Sequence, residues 1–231
     1  MKRTVIGAMT FLVVGTVGIG ARPQVSEQRA DRIRSSAEVL TDVRGEPDKD
    51  IPRGLWEKAE CVVVIPGLKK AAFGFGAEYG KGMMSCRHET GWSAPVFMQL
   101  EKGSWGVQIG GESIDLVLLV MHQRGMDKLL QDKVSLGADA AAAAGPVGRT
   151  AQAATDAQLN AEIVSYSRVQ GLFAGIDLSG GVLKADADAN RDLYGTGVSP
   201  RRVLGEGTKA PIETAAFMTA LTREQHRVAE R

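Results

Sequence analysis

Histidine is scarce in this sequence, and the three histidines, His88, His122 and His226, lie far apart. None of them has a partner at the spacing with which a helix presents two zinc ligands. The G-x-S-x-G turn that carries a nucleophilic serine is also missing. A triad assembled only in the folded chain leaves no such motif, so an unrecognised hydrolase stays a secondary hypothesis. We expect a protein that is not an enzyme and that needs no cofactor.

Neither sign of charge dominates the sequence, which has 28 basic and 27 acidic residues and a net charge of +1. Nucleic-acid-binding proteins usually show a strongly basic balance, so no nucleic-acid partner is expected. One long apolar run occurs, from Val5 to Ile19. It is shorter than the roughly 20 residues that span a bilayer, and no second run of that length follows, so a transmembrane protein is not predicted.

The same apolar run lies between two basic residues and a group of small residues, the pattern of a secretory signal peptide over residues 1–21. The alternative is an uncleaved N-terminal anchor. Removal of residues 1–21 deletes two positive charges and no negative one, so the net charge changes from +1 to −1. No cysteine for lipid attachment follows the run. We therefore expect an exported, periplasmic protein that contacts a membrane peripherally, through its folded surface.

Cysteine is limited to Cys61 and Cys86, each in a strand-like segment. In an oxidising compartment, two cysteines on neighbouring strands can form a disulfide. Two buried free thiols are the alternative. Thiol titration of the denatured protein with and without reductant distinguishes the two.

Apolar residues recur at three- and four-residue spacing between residues 25 and 44, which predicts an amphipathic helix that ends at Gly45. A short second helix is predicted from Pro52 to Glu60, with Pro52 in its first turn. Later helices are predicted from Arg124 to Asp132 and from Pro211 to Glu224.

Alternation with a period of two replaces the helical spacing after Cys61 and predicts four strands, at Ala72 to Tyr79, Trp92 to Leu100, Ser104 to Ile109 and Leu172 to Leu178. The alternation places Trp92 on the face of Leu100, and Leu172 on the face of Leu178. Glycines fall opposite the large residues, which indicates sharp curvature or close approach of another backbone layer. The apolar run from Ile114 to Met121, interrupted only by Asp115, predicts a buried strand.

Two further segments have competing interpretations. The Ala-rich stretch 137–148 has helical propensity, but Gly145 and Pro146 at its end favour a strand followed by a turn. Four polar residues alternate like the first ligands of a calcium loop, namely Asp186, Asp188, Asn190 and Asp192. The Gly and the bidentate Glu of such a loop are missing, so a solvated acidic turn is predicted. The Gly-rich segment 74–82 lacks the spacing of a phosphate-binding loop.

Several blocks occur together in one order: GWSAP at 91–95, GVQIG at 106–110, AGP at 144–146, YS at 166–167 with GLFAG at 171–175, and YG at 194–195. With them, the segment from about 51 to 195 closely resembles the SYLF domain, also known as the yeast-type actin-binding domain. The resemblance implies binding of phosphoinositide or another anionic phospholipid and, in some members, of filamentous actin. Eukaryotic members tend to carry a separate peptide-binding domain. We expect none here, so actin is a doubtful partner.

The elements together predict an α+β fold, with N-terminal helices, a curved, mainly antiparallel β-sheet that closes toward a barrel or sandwich, and a C-terminal helix. About 210 residues suffice for one sizeable domain. We predict a single SYLF-type domain over residues 22–231, with its core at 51–195, a helical extension at 22–50 and a tail helix within 200–231.

Lys69 and Lys70 are the principal lipid-binding candidates, because they precede an aromatic-bearing strand and have no acidic neighbours. Further basic candidates are Lys58, Arg29, Arg32, Arg34 and Arg44. A basic residue near an anionic surface contributes about 1 kcal/mol. For the first helix a solvated charged face is favoured over lipid contact, because Glu27, Asp31, Glu38 and Asp42 interrupt its basic residues. For Trp92 and Trp105 a place in the core is favoured over a membrane contact. We predict non-catalytic binding of anionic phospholipid at an envelope membrane; the alternative is a periplasmic scaffold that binds another envelope protein.

Overall fold

A computed structural model describes residues 26–42, 51–73, 75–89, 91–105, 112–130, 133–146, 161–169, 172–205 and 207–229. Its helices are α1 (Glu27–Asp42), α2 (Arg53–Lys58), α3 (Gln123–Leu129), α4 (Ala187–Tyr194), α5 (Pro200–Leu204) and α6 (Ala215–Ala229), and a 3-10 turn (Ile212–Thr214) precedes α6. Its strands are β1 (Cys61–Phe73), β2 (Phe75–His88), β3 (Gly91–Trp92), β4 (Val96–Trp105), β5 (Glu112–Val120), β6 (Val134–Ser135), β7 (Ala142–Ala144), β8 (Ile163–Val169), β9 (Leu172–Gly175) and β10 (Gly181–Ala185). Across these ranges, no helix combines the length and the apolar character needed to cross a bilayer.

The strands form one curled sheet in the order β6-β10-β4-β2-β1-β5-β8-β7, with β3 paired to β2 and β9 paired to β8. The only parallel pair among the described strands is β7 with β8. The sheet is a half-barrel, with helices from the N- and C-terminal regions. The predicted α+β fold with a curved, mainly antiparallel sheet is therefore confirmed.

Both faces of the sheet are buried, each by its own set of helices. One face packs with residues of α1, α2 and α6, including Leu40, Trp56 and Phe217. The other packs with residues of α3 and α5, including Leu129 and Val203. Residues 116–120 of β5 are fully inaccessible to solvent, which confirms the buried strand predicted from its apolar run.

The first long hairpin differs from the prediction of a single strand at Ala72 to Tyr79. β1 and β2 are antiparallel, and Phe73 at the end of β1 pairs with Phe75 at the start of β2. Residues paired across two strands share a face, and one residue lies between these two phenylalanines. The alternation of large and small residues therefore continues unchanged where the chain passes from β1 to β2. Periodicity alone cannot show that the chain changes direction between them.

Two predicted strands are interrupted, and their face assignments are partly wrong. Ser93 to Pro95 separate β3 from β4, so Trp92 packs on the α1 side while Ala94 and Leu100 pack on the opposite side. In β9, Phe173 is buried, whereas Leu172 is 48% exposed. The predicted strand at Ser104 to Ile109 is the end of β4, and residues 106–109 lie outside the described ranges.

Of the glycines in the predicted strands, Gly175 confirms the expected close approach of backbone, because an added Cβ would lie 2.2 Å from the carbonyl oxygen of Gly145. Two further glycines, in β2, lie against the neighbouring strand β1. A Cβ on Gly82 would lie 1.8 Å from the carbonyl oxygen of Val64, and a Cβ on Gly80 would lie 2.5 Å from Cγ2 of Ile65. Because the atoms near Gly82 are backbone of β1, any side chain there would force β1 and β2 apart. At Gly80 the nearest atoms are side-chain methyl groups of Ile65 and Leu68, and the nearest backbone atom is Cα of Leu68 at 3.3 Å. The sheet can curl here because these positions carry only hydrogen.

The predicted solvated acidic turn is wrong, because these residues begin and form helix α4. Asp186 is the N-cap, and its carboxylate accepts a hydrogen bond from the Ala189 N–H at 3.2 Å. Asn190 is buried and makes two hydrogen bonds of 2.8 Å with the backbone of Phe97. Aspartate at an N-cap initiates a helix by satisfying a free N–H. Residues that alternate in the sequence lie on different sides of a helix. The two that are buried, Asp186 and Asn190, make hydrogen bonds within the protein.

The other predicted elements correspond to the structure, with small shifts in their ends. The helix predicted over residues 25–44 is α1, and the Ala-rich stretch contributes the short strand β7, which ends before Gly145. Pro52 precedes α2 as its N-cap and does not lie in its first turn. The predicted signal peptide at residues 1–21 lies outside the described residues.

A disulfide joins Cys61 and Cys86, with an S–S distance of 2.08 Å. The two cysteines are directly paired across β1 and β2, and both are fully buried. The bridge therefore lies at the end of the long hairpin that is remote from Phe73 and Phe75.

Candidate functional site

A groove of about 730 Å³ lies between α1 and the sheet, over β1, β2, β5 and β8. Charged side chains of both signs line it, namely Arg32, Lys69, Lys81 and Arg168 with Asp31, Glu38, Asp42 and Asp115. These eight residues sum to no net formal charge. The groove is therefore a polar site with separated charges and not a uniformly basic cradle.

Ion pairs hold α1 across the sheet along its whole length. Near its start, Arg29 pairs with Asp192 of α4 at 2.6 Å, and Arg32 pairs with Asp186 at 2.9 Å. At its last residue, Asp42 pairs with Arg168 of β8. These contacts place the N-terminal part of α1 near α4 and its C-terminal end over β8.

Asp186 is the centre of a buried charge cluster at the N-terminal part of the groove. Its Oδ2 accepts hydrogen bonds from Arg32 and from Lys81 of β2, both at 2.9 Å, while the Arg32 guanidinium lies 5.0 Å from the centre of the Phe97 ring. Burial raises the pKa of Asp186, but the hydrogen bonds from Lys81, Arg32 and the Ala189 N–H outweigh it and hold the pKa below its usual value. The carboxylate therefore stays ionised and joins α1, β2 and α4.

Asp115 and Arg168 form a second cluster at the opposite end of the groove. Arg168 Nη2 donates to Asp115 Oδ2 at 2.7 Å and its Nη1 donates to Asp42. The backbone N–H of Gly67 donates to Asp115 Oδ1 at 2.8 Å. Burial lowers the pKa of Arg168, but the hydrogen bonds to Asp115 and Asp42 raise it above its usual value.

A β-bulge in β1 brings Lys69 into the groove. Between Val64 and Lys69, β1 has one more residue than β2, and it has one more than β5 between Ile65 and Leu68. Gly67 lies in this bulge with a φ of 58°, a left-handed conformation that favours glycine. If β1 were regular here, Lys69 would share the buried face of Ile65, because residues four apart in a strand lie on the same face.

Lys69 and Tyr79 are the accessible polar groups of the groove floor. They are directly paired across β1 and β2, and Tyr79 is 41% exposed. Lys81 lies two residues beyond Tyr79, and its ammonium is 6.0 Å from the Tyr79 ring centre. Within the described part of the chain, the Lys69 ammonium has neither an ion pair nor a hydrogen bond.

The predicted lipid-binding residues do not form one cluster. Arg29 and Arg32 are committed to the ion pairs that hold α1, and Arg34 is an exposed residue that pairs with Asp31. Lys58 is exposed at the end of α2, before β1 begins. Lys69 lies eight residues into β1, a path of roughly 25 Å along an extended strand. Arg44 lies outside the described residues.

Lys70 and three aromatic residues are placed by strand register. Lys70 pairs with Glu78 of β2 and with Glu112 of β5. Phe73 pairs with Phe75, and Phe75 pairs with Trp105 of β4. The three aromatic residues therefore occupy one row across three adjacent strands, at the end of the sheet. We call the segment Lys69–Tyr79 together with Trp105 the hairpin end.

Sequence analysis did not find Lys81, Asp115, Arg168 or Asp186 as members of a common site. Their positions along the sequence are far apart, and only the strand order β2-β1-β5-β8 brings the first three together. Asp186 was noticed through its alternation with other acidic residues, but its partners were not. Within the described ranges, no group of three His, Cys, Asp or Glu side chains is arranged to hold a metal ion.

Fold and groove together define an α+β domain with a curled sheet and a helix laid across it. A family model described as "Ysc84: Las17-binding protein actin regulator" matches residues 101–224, more than half of the chain. The chain belongs to the Ysc84 family, the SYLF-domain family that the sequence blocks indicated, and that prediction is confirmed.

Curated relatives of the chain come from fungi and animals. An SH3 domain-containing protein of Schizosaccharomyces pombe is 34% identical over 165 residues, which are 70% of this chain and 38% of that protein. Protein YSC84 of Saccharomyces cerevisiae is 30% identical over 192 residues, 78% of this chain and 40% of the relative. SH3 domain-containing YSC84-like protein 1 of Xenopus laevis is 32% identical over 169 residues, 70% and 50% of the two chains. The chain thus spans half or less of the length of these relatives.

Proposed function

We propose that this protein binds anionic phospholipid at a membrane surface through the hairpin end, without catalysing a reaction. The observation that carries the proposal is the register that aligns Phe73, Phe75 and Trp105 in one row at the end of β1, β2 and β4. Tryptophan concentrates at membrane–water interfaces, because its amphipathic ring suits the boundary between head groups and acyl chains. Phenylalanine is apolar and suits the acyl side of that boundary. A row of three at a sheet end is suited to enter that boundary.

Two lysines precede this aromatic row by a distance that suits contact with lipid phosphates. Lys70 and Lys69 precede Phe73 by three and four residues, about 10 to 13 Å of extended strand. If the aromatic row lies at the acyl boundary, both lysines are at or near the level of the lipid phosphates. Lys69 contributes about 1 kcal/mol near an anionic surface, and salt weakens this attraction. Lys70 contributes less, because its register neighbours on both sides are the glutamates Glu78 and Glu112.

The arginines of α1 support the proposal less than the lysines do. Arg29 and Arg32 have side chains that are 22% and 12% exposed, and both are paired with aspartates. Releasing them to a membrane would leave Asp192 without Arg29, and the buried Asp186 would keep Lys81 but lose Arg32. Of the described arginines of α1, Arg34 is the most exposed, at 64%. We therefore assign the membrane contact to the hairpin end and not to α1.

The membrane in question is the periplasmic side of an envelope, in keeping with the signal peptide expected at residues 1–21. The matched family is described by Las17 binding and actin regulation, and those words describe the family and its relatives. For an exported chain, actin is not an available partner. Capture of a protein partner without any vesicle binding would favour the scaffold alternative.

Vesicle co-sedimentation tests the proposal. The protein is expected to sediment with vesicles of phosphatidylcholine containing phosphatidylglycerol at low salt, less at high salt, and weakly with phosphatidylcholine alone. Lys69→Glu with Lys70→Glu is expected to abolish most of the binding without lowering the melting temperature. The matched control is Lys58→Glu with Lys209→Glu, which makes the same charge change at exposed residues outside the hairpin end. Equal loss in both double variants, or no sedimentation of the wild type, refutes the assignment.

Tryptophan fluorescence tests the aromatic row separately from the lysines. Trp105 is the tryptophan expected to enter the bilayer, since Trp56 is 2% exposed within the core and Trp92 packs against the same core cluster. Lipids brominated on the acyl chains are expected to quench the wild type, and the quenching is expected to disappear in Trp105→Phe. Quenching that persists unchanged in Trp105→Phe contradicts insertion of the row.

A further inference from the structure

We propose that the groove beneath α1 binds a small zwitterion in which a phosphate and an ammonium group are joined by a short spacer, the chemistry of an ethanolamine-type head group. This site shares Lys69 and Tyr79 with the hairpin end, but it does not require that the hairpin end enter a membrane.

The end of the groove near the start of α1 has excess positive charge. Arg32 and Lys81 lie there with Lys69 beside them on β1, and the one carboxylate that binds any of them is Asp186, which Arg32 and Lys81 share. The formal sum of these four groups is +2, and it is +1 when Asp31, which lines the same groove and pairs with Arg34, is counted. An ammonium has three donors, so Lys81 retains donors beyond the one that Asp186 accepts. With the free Lys69 ammonium and the Tyr79 hydroxyl opposite it, these donors suit a phosphate.

The other end of the groove has excess negative charge. Asp42 and Asp115 share a single cation, Arg168, and Glu38 lies one helical turn before Asp42 on α1. The formal sum of these four groups is −2. Glu38 is exposed, and among the described residues its carboxylate has no ion pair or hydrogen bond. It is the acceptor on this wall that a ligand cation can reach.

The two ends are separated by a distance that a small molecule can bridge. Arg32 and Glu38 are six residues apart on α1, about 9 Å along the helix axis. Glu38 and Lys69 line the same groove and do not form an ion pair with each other in the structure. An anion without a positive group would be repelled by Glu38 across the groove, and a cation without a negative group would be repelled by Lys69. A zwitterion oriented with its phosphate toward β1 and β2 satisfies both charges, and 730 Å³ lies in the range of small-molecule sites.

Isothermal titration calorimetry with soluble head groups tests the site. Glycerophosphoethanolamine is expected to bind the full-length protein, and glycerol 3-phosphate, inorganic phosphate and ethanolamine are each expected to bind roughly fivefold more weakly, the effect of losing one partly exposed charge pair. Glu38→Gln is expected to reduce the affinity for glycerophosphoethanolamine to that for glycerol 3-phosphate. Lys69→Gln is expected to weaken both phosphate ligands. Glu57→Gln, an exposed carboxylate on α2, is the matched control and is expected to change nothing.

The proposal is overturned if the wild type shows no saturable binding of glycerophosphoethanolamine at millimolar concentration, or if Glu38→Gln keeps the advantage of the zwitterion. Vesicles identify the source of the ligand. If the wild type sediments better than Glu38→Gln with neutral vesicles containing phosphatidylethanolamine, the ligand is a lipid head group. If the two proteins sediment equally while the wild type still binds soluble glycerophosphoethanolamine, the ligand is a free molecule. Glu38→Gln is expected to keep the attraction to anionic vesicles, so failure here is distinct from failure of the proposed function.

Discussion

Substituting alanine for Gly82 is expected to destabilise the protein severely, because no space exists for its methyl group. An added Cβ would lie 1.8 Å from the carbonyl oxygen of Val64 and 2.8 Å from Cα of Ile65. Both atoms are backbone in β1, which is hydrogen-bonded on its other side to β5. Relief therefore requires β1 and β2 to separate and cannot come from rotation of a side chain. Overpacking of a core usually costs 1–3 kcal/mol, and we expect about 3 kcal/mol or more here.

Urea denaturation measures this effect, with Gly103→Ala as the control. Gly103 is in β4 of the same sheet, and nothing lies within 4 Å of an added Cβ. At about 2 kcal/mol per molar urea, Gly82→Ala is expected to lower the midpoint by roughly 1.5 M. Gly103→Ala is expected to leave it unchanged or raise it slightly, because alanine restricts the unfolded chain. Similar midpoints for both variants would refute the claim that curvature of the sheet depends on backbone contact at Gly82.

Two further predictions concern the charge cluster and the disulfide. Asp186→Asn is expected to lower the free energy of unfolding by about 3 kcal/mol at neutral pH, because Arg32 and Lys81 lose their shared buried carboxylate. The pKa of Asp186 is lower in the folded than in the unfolded protein, so its contribution to stability is complete above about pH 4 and is lost as the pH falls further. In urea titrations at several pH values, this loss of stability in acid should be absent from the Asn variant. A loss of the same size in the Asn variant would contradict the role assigned to Asp186. Replacing Cys61 and Cys86 with alanine opens a loop with a sequence separation of 25, and the loss of this loop constraint is expected to lower the free energy of unfolding by about 3.5 kcal/mol. Equal thiol titres of the denatured wild type with and without reductant would show that no bridge forms.

Sequence patterns predicted the parts of the fold that depend on local spacing. The helical period of α1 and the apolar run of β5 are visible in a single segment, and both were confirmed. The position of Gly175 in its strand indicated close backbone approach, and the structure shows it against Gly145. Each of these features can be recognised without knowing which strand lies beside which.

Features that depend on the pairing of distant segments were not predictable in the same way. The turn between Phe73 and Phe75 leaves the alternation unbroken, and the bulge at Gly67 is defined only relative to β2 and β5. The role of Asp186 depends on Arg32, which lies 154 residues away. Of the groove, the sequence therefore identified Lys69 and Arg32, while Lys81, Asp115 and Arg168 required the order of the strands.

The disulfide at the base of the long hairpin has a mechanical consequence. Cys61 and Cys86 lie twelve and eleven residues from Phe73 and Phe75, so the covalent link and the aromatic row are at opposite ends of β1 and β2. A load applied at the aromatic row would open the hydrogen bonds between the two strands pair by pair, as a zipper opens. The largely buried stretch from Val62 to Leu68 lies between the two ends, so peeling would have to break this hydrophobic packing before it reached the covalent link. The link would then keep the two strands together at their far end even after all their hydrogen bonds had opened.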